Sequence, residues 1–314
     1  MNVLVYGLGA VGTVFATFLK ESGHKVYGKT KEKYLPYLKE KNLKVEGLWG
    51  THQAKLDNIV ASTDDLNGIP FDLILITVKS YDTKRAIEDI KHIVSKNTYI
   101  LLAQNGYGNY EIAKQYLPPE NILLARVIFG AKVIKPGYVE VTVNADDVVI
   151  GQPENLGDEK ERKKIVDTIR ASGIPARYSN EVYQILWDKI LYNCALNPLG
   201  AILECTYGDL VDNLATKETI NKIVKEIFKV AKANNIILRW KSPEEYLIHF
   251  YNNLIPPTKK HYPSMYYDLK EGKKTEIDAL NGAIVRLAKQ AGISAPVNET
   301  VSNLVKFKEN HLKK

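Results

Sequence analysis

Cysteine is nearly absent from this chain: Cys194 and Cys205 are the two in 314 residues. So few exclude a disulfide framework, and their separation is not a metal-type CxxC spacing. Long hydrophobic runs are also missing, since no stretch approaches the ~18 apolar residues of a membrane span. Met1 to Tyr6 is too short for a signal peptide and leads straight into a glycine turn. The expectation is a cytoplasmic protein with no metal and no membrane contact. Blocks of like charge are lacking too. The net charge of +7 is spread along the chain, and lysines such as Lys29, Lys31 and Lys33 alternate with other residues, Glu32 among them. Nucleic acid is therefore not an expected partner, and a small anionic ligand is. What is present is 45% hydrophobic and 25% charged residues, the composition of a globular protein long enough for two domains.

The first seventeen residues organise the rest. Val3 to Tyr6 is an apolar run suited to one buried strand. Gly7-Leu8-Gly9-Ala10-Val11-Gly12 follows, and a helical pattern runs from about Thr13 to Lys20. Strand, glycine turn and helix together give a GxGxxG match its meaning. Gly7 permits the turn, Gly9 lets backbone approach a pyrophosphate, and Gly12 lets helix pack on strand. The helix N-terminus offers N–H groups to the phosphates. The second strand, Lys25 to Gly28, ends where the adenosine ribose of such a cofactor lies. Lys29-Thr30-Lys31 stands there, with no acid before Glu32, which suits a 2′-phosphate and makes NADP(H) the expected cofactor.

Further along, Leu43 to Gln53 reads as a hairpin decorating the sheet. Ile69 to Val78 and Thr98 to Ala103 read as buried strands. Lys79 and Asn105 follow them directly, at the carboxyl ends where open α/β sheets bind ligands. Lys79 is expected to face cofactor or substrate, and Asn105 the nicotinamide ribose and substrate. Strand-like alternation continues through Ile122 to Ile150, then a helix from Lys160 to Ala171. Beyond Glu181 the periodicity is helical. The expected division is residues 1–178, a dinucleotide-binding α/β domain, and 179–314, an all-α-helical domain.

In the second half, Lys189, Asn193 and Asn197 are spaced by four and four, one stripe of an otherwise apolar helix. Burial of such groups demands partners, unless the stripe faces water, and Pro198 removes a backbone hydrogen bond and is expected to kink or loosen the helix locally. Two further polar clusters are His261 to Asp268 and Lys273 to Gly282. The latter opens a helix expected at Ile277 to Ala291, with Thr275 and Asp278 at a capping-box spacing. The apolar stretches Tyr246 to Leu254 and Tyr262 to Tyr267 serve either the core or a homodimer.

Taken in order, Gly7 to Gly12, Lys79, Asn105-Gly106, Lys189, Asn193, Asn197-Pro198, Ser264-Met265 and Thr275 to Gly282 resemble the ketopantoate reductases (2-dehydropantoate 2-reductases). The resemblance covers nearly the whole chain. It implies an N-terminal Rossmann domain, a C-terminal helical domain, and a cleft where NADPH reduces a small 2-oxo acid. Lys189 would be the general acid, with Glu276 binding a substrate hydroxyl and orienting it. Asn193, Asn197, Ser264 and Asn105 would hold substrate. Lys79, Asn105 and Glu276 would also border the cofactor. His261 stands where the family often has Asn, and lysines replace its usual arginine for the 2′-phosphate. The competing readings are another NAD(P)-dependent 2-hydroxyacid dehydrogenase on this scaffold and a non-catalytic NADP-binding regulator.

Overall fold

The computed structural model describes residues 1–311. It forms two compact units, Met1–Tyr183 and a second from Gln184 onward. The first runs past Tyr178 because Ser179 N–H still donates to the Ile150 carbonyl at 2.9 Å. Tyr183 OH likewise donates to Glu111 at 2.9 Å.

The strands of the first unit are β1 (Asn2–Tyr6), β2 (Lys25–Lys29), β3 (Leu43–Gly47), β4 (His52–Ala54), β5 (Asn58–Val60) and β6 (Leu73–Ile76). They continue with β7 (Tyr99–Leu102), β8 (Ile122–Arg126), β9 (Phe129–Lys135), β10 (Tyr138–Asn144), β11 (Val148–Gly151) and β12 (Ala176–Tyr178). Among the described residues, eight form one sheet in the order β12-β11-β8-β7-β6-β1-β2-β5. From β8 to β5 neighbouring strands are parallel, and β11 runs antiparallel to β8. The central strands are buried on both faces, which is why β6 reads Leu-Ile-Leu-Ile without alternation. The chain leaves β1 toward β2 on one side and returns to β6 on the other, so the order reverses between β1 and β6. Ligands of open α/β sheets bind at the strand ends beside such a reversal.

The expected hairpin is present as β3 and β4, but it does not decorate the main sheet. It joins β10 and β9 in a separate four-stranded sheet, with β3 parallel to β10. The reason lies in the helix Ala10–Glu21, whose residues from Gly12 to Leu19 are all buried. A helix apolar on all sides needs cover on all sides. Val3 and Val5 of β1 supply one side, and Val45, Val139 and Val141 of the smaller sheet supply the other. Phe15 and Phe18 fill the space between; burying one such side chain contributes ~1.5–3 kcal/mol.

The second unit is helical. The Val182–Leu203 helix begins at the boundary and continues past Pro198, which lies inside it. Helices Leu214–Ala233, Asn281–Gln290 and Pro296–His311 pack on one another. Asn213 caps the first of these by accepting from Ala215 N–H at 3.0 Å. The helix expected over 277–291 is broken: Ile277–Ala279 is a 3-10 turn, and the α-helix starts at Asn281. The Thr275–Asp278 capping box is absent as well. Thr275 Oγ1 instead donates to Glu309 at 2.6 Å, and Asp278 pairs with Lys306 at 2.7 Å.

One contact in the first unit makes its packing pH-sensitive. His52 Nδ1 lies 2.6 Å from Glu21 and Nε2 lies 2.8 Å from the Trp49 carbonyl. Two acceptors on one ring call for an imidazolium. Burial opposes that charge, and the bonds to Glu21 and Trp49 outweigh it, so the pKa is raised above the ordinary histidine value. The resulting stabilisation is complete below the unfolded pKa of about 6.5 and is lost as pH rises through the folded one. We expect Tm to fall between mildly acidic and mildly alkaline pH, and His52→Gln to flatten part of that fall; an identical profile in the variant would remove the assignment.

Candidate active site

Gly7 ends β1 in the left-handed region at φ 111°, where a Cβ would lie 2.8 Å from Val78 Cγ1. Its carbonyl accepts from Thr77 Oγ1 at 2.6 Å. A Cβ on Gly12 would stand 1.9 Å from that same carbonyl oxygen and 2.5 Å from Thr77 Oγ1. Gly12 thus brings helix against strand. Gly9 differs: a Cβ there meets nothing within 4 Å, and the residue is exposed. Leu8 turns its side chain onto Gly28, where a Cβ would lie 2.8 Å from Leu8 Cδ1.

The helix begins at Ala10, three residues before the expected Thr13, so the turn itself forms its first turn. No side chain caps it, and no acid lies in its first turn. Thr13 N–H is bonded to the Gly9 carbonyl, leaving the N–H groups of Ala10, Val11 and Gly12 without intrahelical acceptors. Open glycine, bare N–H groups and a positive dipole end fit a pyrophosphate.

Lys79 and Asn105 follow β6 and β7, which are paired, so the fold brings both to the same end of the sheet as the glycine turn. A buried polar network holds their loops. Gln104 Nε2 donates to the Val78 carbonyl at 3.0 Å and to Thr83 Oγ1 at 2.7 Å. Thr83 Oγ1 lies 2.7 Å from Asn109 Oδ1, and Asn109 Nδ2 donates to the Asn105 carbonyl at 3.1 Å. Thr83, Gln104 and Asn109 were not picked out in the sequence, because single polar residues spaced over 26 positions carry no local pattern.

The two lysines after Gly28 have different surroundings. Lys29 belongs to β2, level with Tyr6. Its ammonium lies 3.0 Å from Tyr6 OH and 3.5 Å from Asp89, and the side chain is 12% exposed. Tyr6 OH donates to Asp89 at 2.6 Å, and burial first, then Asp89, push its pKa up. Lys31 is 63% exposed and lies 3.6 Å from Asp82. Lys31 therefore offers an accessible cation at this strand end.

In the second unit, Lys189, Asn193 and Asn197 share one stripe of the Val182–Leu203 helix, and both asparagines are buried. Asn197 Oδ1 accepts from Tyr207 OH at 2.8 Å. Tyr207 N–H also donates to the His261 carbonyl at 3.0 Å, so one residue ties Asn197 to the segment leading to Ser264. Gly200 closes that junction, since a Cβ would lie 2.9 Å from Pro263 Cγ. Burial pushes the Tyr207 phenol up and keeps it a donor. Ser264 is exposed at the start of its short helix. Glu276, 8% exposed, precedes the 3-10 turn. Its neighbour Thr275 donates N–H and Oγ1 to Glu309, each at 2.6 Å. Cys194 is buried with its thiol pKa raised by burial, hence unreactive. Among the described residues no group of His, Cys, Asp and Glu could hold a metal.

A parallel-sheet unit with an open glycine turn and a helical unit with a half-buried lysine and two buried asparagines on one stripe fit a nucleotide-dependent oxidoreductase. Comparison with known proteins narrows this. Residues 3–155 match the family described as ketopantoate reductase PanE/ApbA, and residues 181–309 match its C-terminal part. The chain is 46% identical over 309 residues to a 2-dehydropantoate 2-reductase of Aquifex aeolicus (strain VF5), covering 98% of this chain and 97% of that one. It is 32% identical to one of Pyrococcus horikoshii over 311 residues, 99% of this chain and 98% of the other. A solved D-mandelate dehydrogenase with NADH and anilino(oxo)acetate superposes with a TM-score of 0.88 at 30% identity, covering 100% and 99%. A ketopantoate reductase from Ralstonia eutropha JMP134 superposes with the same score at 27% identity, covering all of both chains. The chain belongs to the ketopantoate reductase family.

The glycine geometry separates folding from ligand binding. Gly12→Ala should destabilise the first unit by about 1–3 kcal/mol through overpacking. Gly9→Ala should leave Tm unchanged while weakening dinucleotide binding. Thermal melts with a dinucleotide titration read both; equal melting losses, or full binding by Gly9→Ala, would contradict the assignment.

Proposed function

We propose that this chain reduces 2-dehydropantoate to (R)-pantoate with NADPH, a step of pantothenate and coenzyme A biosynthesis. The observation that carries the reading is the polar stripe Lys189, Asn193 and Asn197 on a buried helix, in a chain 46% identical to a 2-dehydropantoate 2-reductase over nearly its full length.

Bound NADPH supplies the hydride, from nicotinamide C4 to the carbonyl carbon of the substrate. Lys189 donates a proton from Nζ to the carbonyl oxygen, which becomes the new hydroxyl. Negative charge grows on that oxygen as the hydride arrives, so an ammonium aimed at it stabilises the transition state more than the ketone. Glu276 binds the substrate hydroxyl and orients Lys189. Asn193, Asn197, Ser264 and Asn105 hold hydroxyl and carboxylate groups. Asn193 is 9% exposed and its amide makes no hydrogen bond to the described residues, which suits a group kept for substrate. Gly7 to Gly12 cradle the pyrophosphate, and Lys79, Asn105 and Glu276 border the nicotinamide end. The dinucleotide-binding domain and the substrate and catalytic domain are assigned to the first and second units.

Lys31 is the proposed partner of the 2′-phosphate, supported by its exposure. Lys29 contributes positive potential from beneath while its ammonium is held by Tyr6 and Asp89. A homodimer through the helical unit is supported by the exposed Ile248, Tyr262 and Tyr267, whereas Tyr246 and Phe250 of the same stretches are core. A cytoplasmic location completes the reading; among the described residues no helix is long and apolar enough to cross a membrane.

The test is oxidation of NADPH and NADH with ketopantoate, simpler aliphatic 2-oxo acids and an aromatic one. Ketopantoate with NADPH should give the highest kcat/KM, and Lys31→Glu should raise KM for NADPH by about tenfold or more with little change for NADH. Preference for the aromatic acid would move the chain to a mandelate-type dehydrogenase, and no oxidation in any arm would make it a dinucleotide-binding regulator.

A further inference from the structure

Pro198 lies inside the Val182–Leu203 helix. At that position a backbone N–H would serve the carbonyl of residue 194, and proline has none. The Cys194 carbonyl thus loses its regular partner where Cys194, Ala195 and Leu196 are fully buried. An unpaired buried carbonyl is costly. Asn281 fills the gap: its Nδ2 donates to the Cys194 oxygen at 3.1 Å. The same amide donates to Asn298 Oδ1 at 3.0 Å, and Asn298 Nδ2 donates to Glu226 at 2.8 Å. Glu226 also accepts from the N–H groups of Val297 and Asn298, at 2.9 and 3.0 Å. The network therefore starts at a helix carbonyl that proline left open and ends on a carboxylate that caps the Pro296–His311 helix.

Asn281 also closes the turn that begins at Glu276. Ala279 N–H donates to the Glu276 carbonyl at 2.9 Å, and Leu280 N–H to that of Ile277 at 3.2 Å. Asn281 then starts the next helix. Gly282 keeps turn and helix together, since a Cβ there would lie 3.1 Å from the Ile277 carbonyl oxygen. Segment 275–281 is thus pinned at one end by Thr275 on Glu309 and at the other by Asn281 on Cys194. The Asn281 pin reaches the helix that carries Lys189 and Asn193, and Cys194 directly follows Asn193.

We propose that Asn281 is a positioning residue for the reaction: by pairing with the carbonyl freed by Pro198, it fixes Glu276 relative to the helix of Lys189. The proposal rests on the reading of Lys189 and Glu276 as the acting groups. Leucine would fill much the same volume, but it could not bond the carbonyl, and aspartate would set a carboxylate against the two oxygens that the amide now serves. Pro198 and Asn281 form one device in which the proline opens a bonding position on a buried helix and the amide from another segment occupies it.

A double-variant cycle tests this, with Asn281→Ala, Pro198→Ala and the pair together, each read for Tm, kcat and KM. Asn281→Ala should lower Tm and lower kcat by about tenfold or more, as a displaced catalytic group does, with KM for NADPH within about twofold. Pro198→Ala restores a backbone N–H at position 198. In that background the Tm loss from Asn281→Ala should shrink by half or more, while the kcat loss persists. A kcat within about twofold of the parent for Asn281→Ala would overturn the positioning role. A kcat loss that disappears together with the Tm loss would reduce Asn281 to a stabilising residue and overturn it as well. A Tm loss as large in both backgrounds would overturn the pairing with the Cys194 carbonyl. Should the unaltered protein reduce no 2-oxo acid, the reading of the site fails, and the Tm arm still decides whether the pairing exists.

Discussion

A polar group inside a protein must find a partner, and that requirement acts most heavily on the helix Val182–Leu203. Its Trp187, Ile190, Leu191, Ala195 and Leu196 are buried, as are Asn193 and Asn197 on the polar stripe. Each polar group on it is a liability in packing and an opportunity in chemistry. Tyr207 takes up the Asn197 carbonyl oxygen, and Asn281 takes up the backbone oxygen that Pro198 frees. The segments bearing Ser264 and Glu276 reach the helix through these same bonds. The polar groups that satisfy the helix are thus also the ones that assemble the candidate site around it.

The first unit solves a different problem, how to leave backbone N–H groups open at the edge of a tightly packed element. The Ala10–Glu21 helix is covered on both sides by sheets, so its start is fixed by the walls around it and needs no capping side chain. Gly7 and Gly12 are glycines because neighbouring atoms occupy the space of a Cβ, whereas Gly9 has nothing beside it. Both steric causes shape the same glycine turn. The buried Gln104–Thr83–Asn109 network does for Lys79 and Asn105 what the sheets do for the glycine turn.

Much of this was legible in the sequence where the cause is local. The strand, glycine turn and helix at the start follow from contiguous residues, and the spacing of Lys189, Asn193 and Asn197 follows from helical periodicity. The ends of β6 and β7 could be read because the apolar runs stop just before Lys79 and Asn105. What could not be read depends on distant partners. Lys29 turns toward Tyr6 and Asp89 because β2 extends one residue further, in register with Tyr6. Thr275 serves Glu309 across 34 positions in place of a local capping box, which goes with a 3-10 turn where one continuous helix was expected. The parallel pairing of β3 with β10 joins segments far apart in the chain, and no local alternation specifies it. Pro198 carried half of a signal: it marks Cys194 as short of a donor, but nothing in the sequence says that Asn281 supplies it.

The central claim is that Lys189 delivers the proton. Steady-state kinetics of Lys189→Ala with the preferred 2-oxo acid, alongside its NADPH affinity measured directly, test that claim without ambiguity about folding. Loss of a general acid should lower kcat by about 10²–10⁴-fold, with the Kd for NADPH within about twofold of the unaltered protein. Near-normal kcat in that variant would contradict the account.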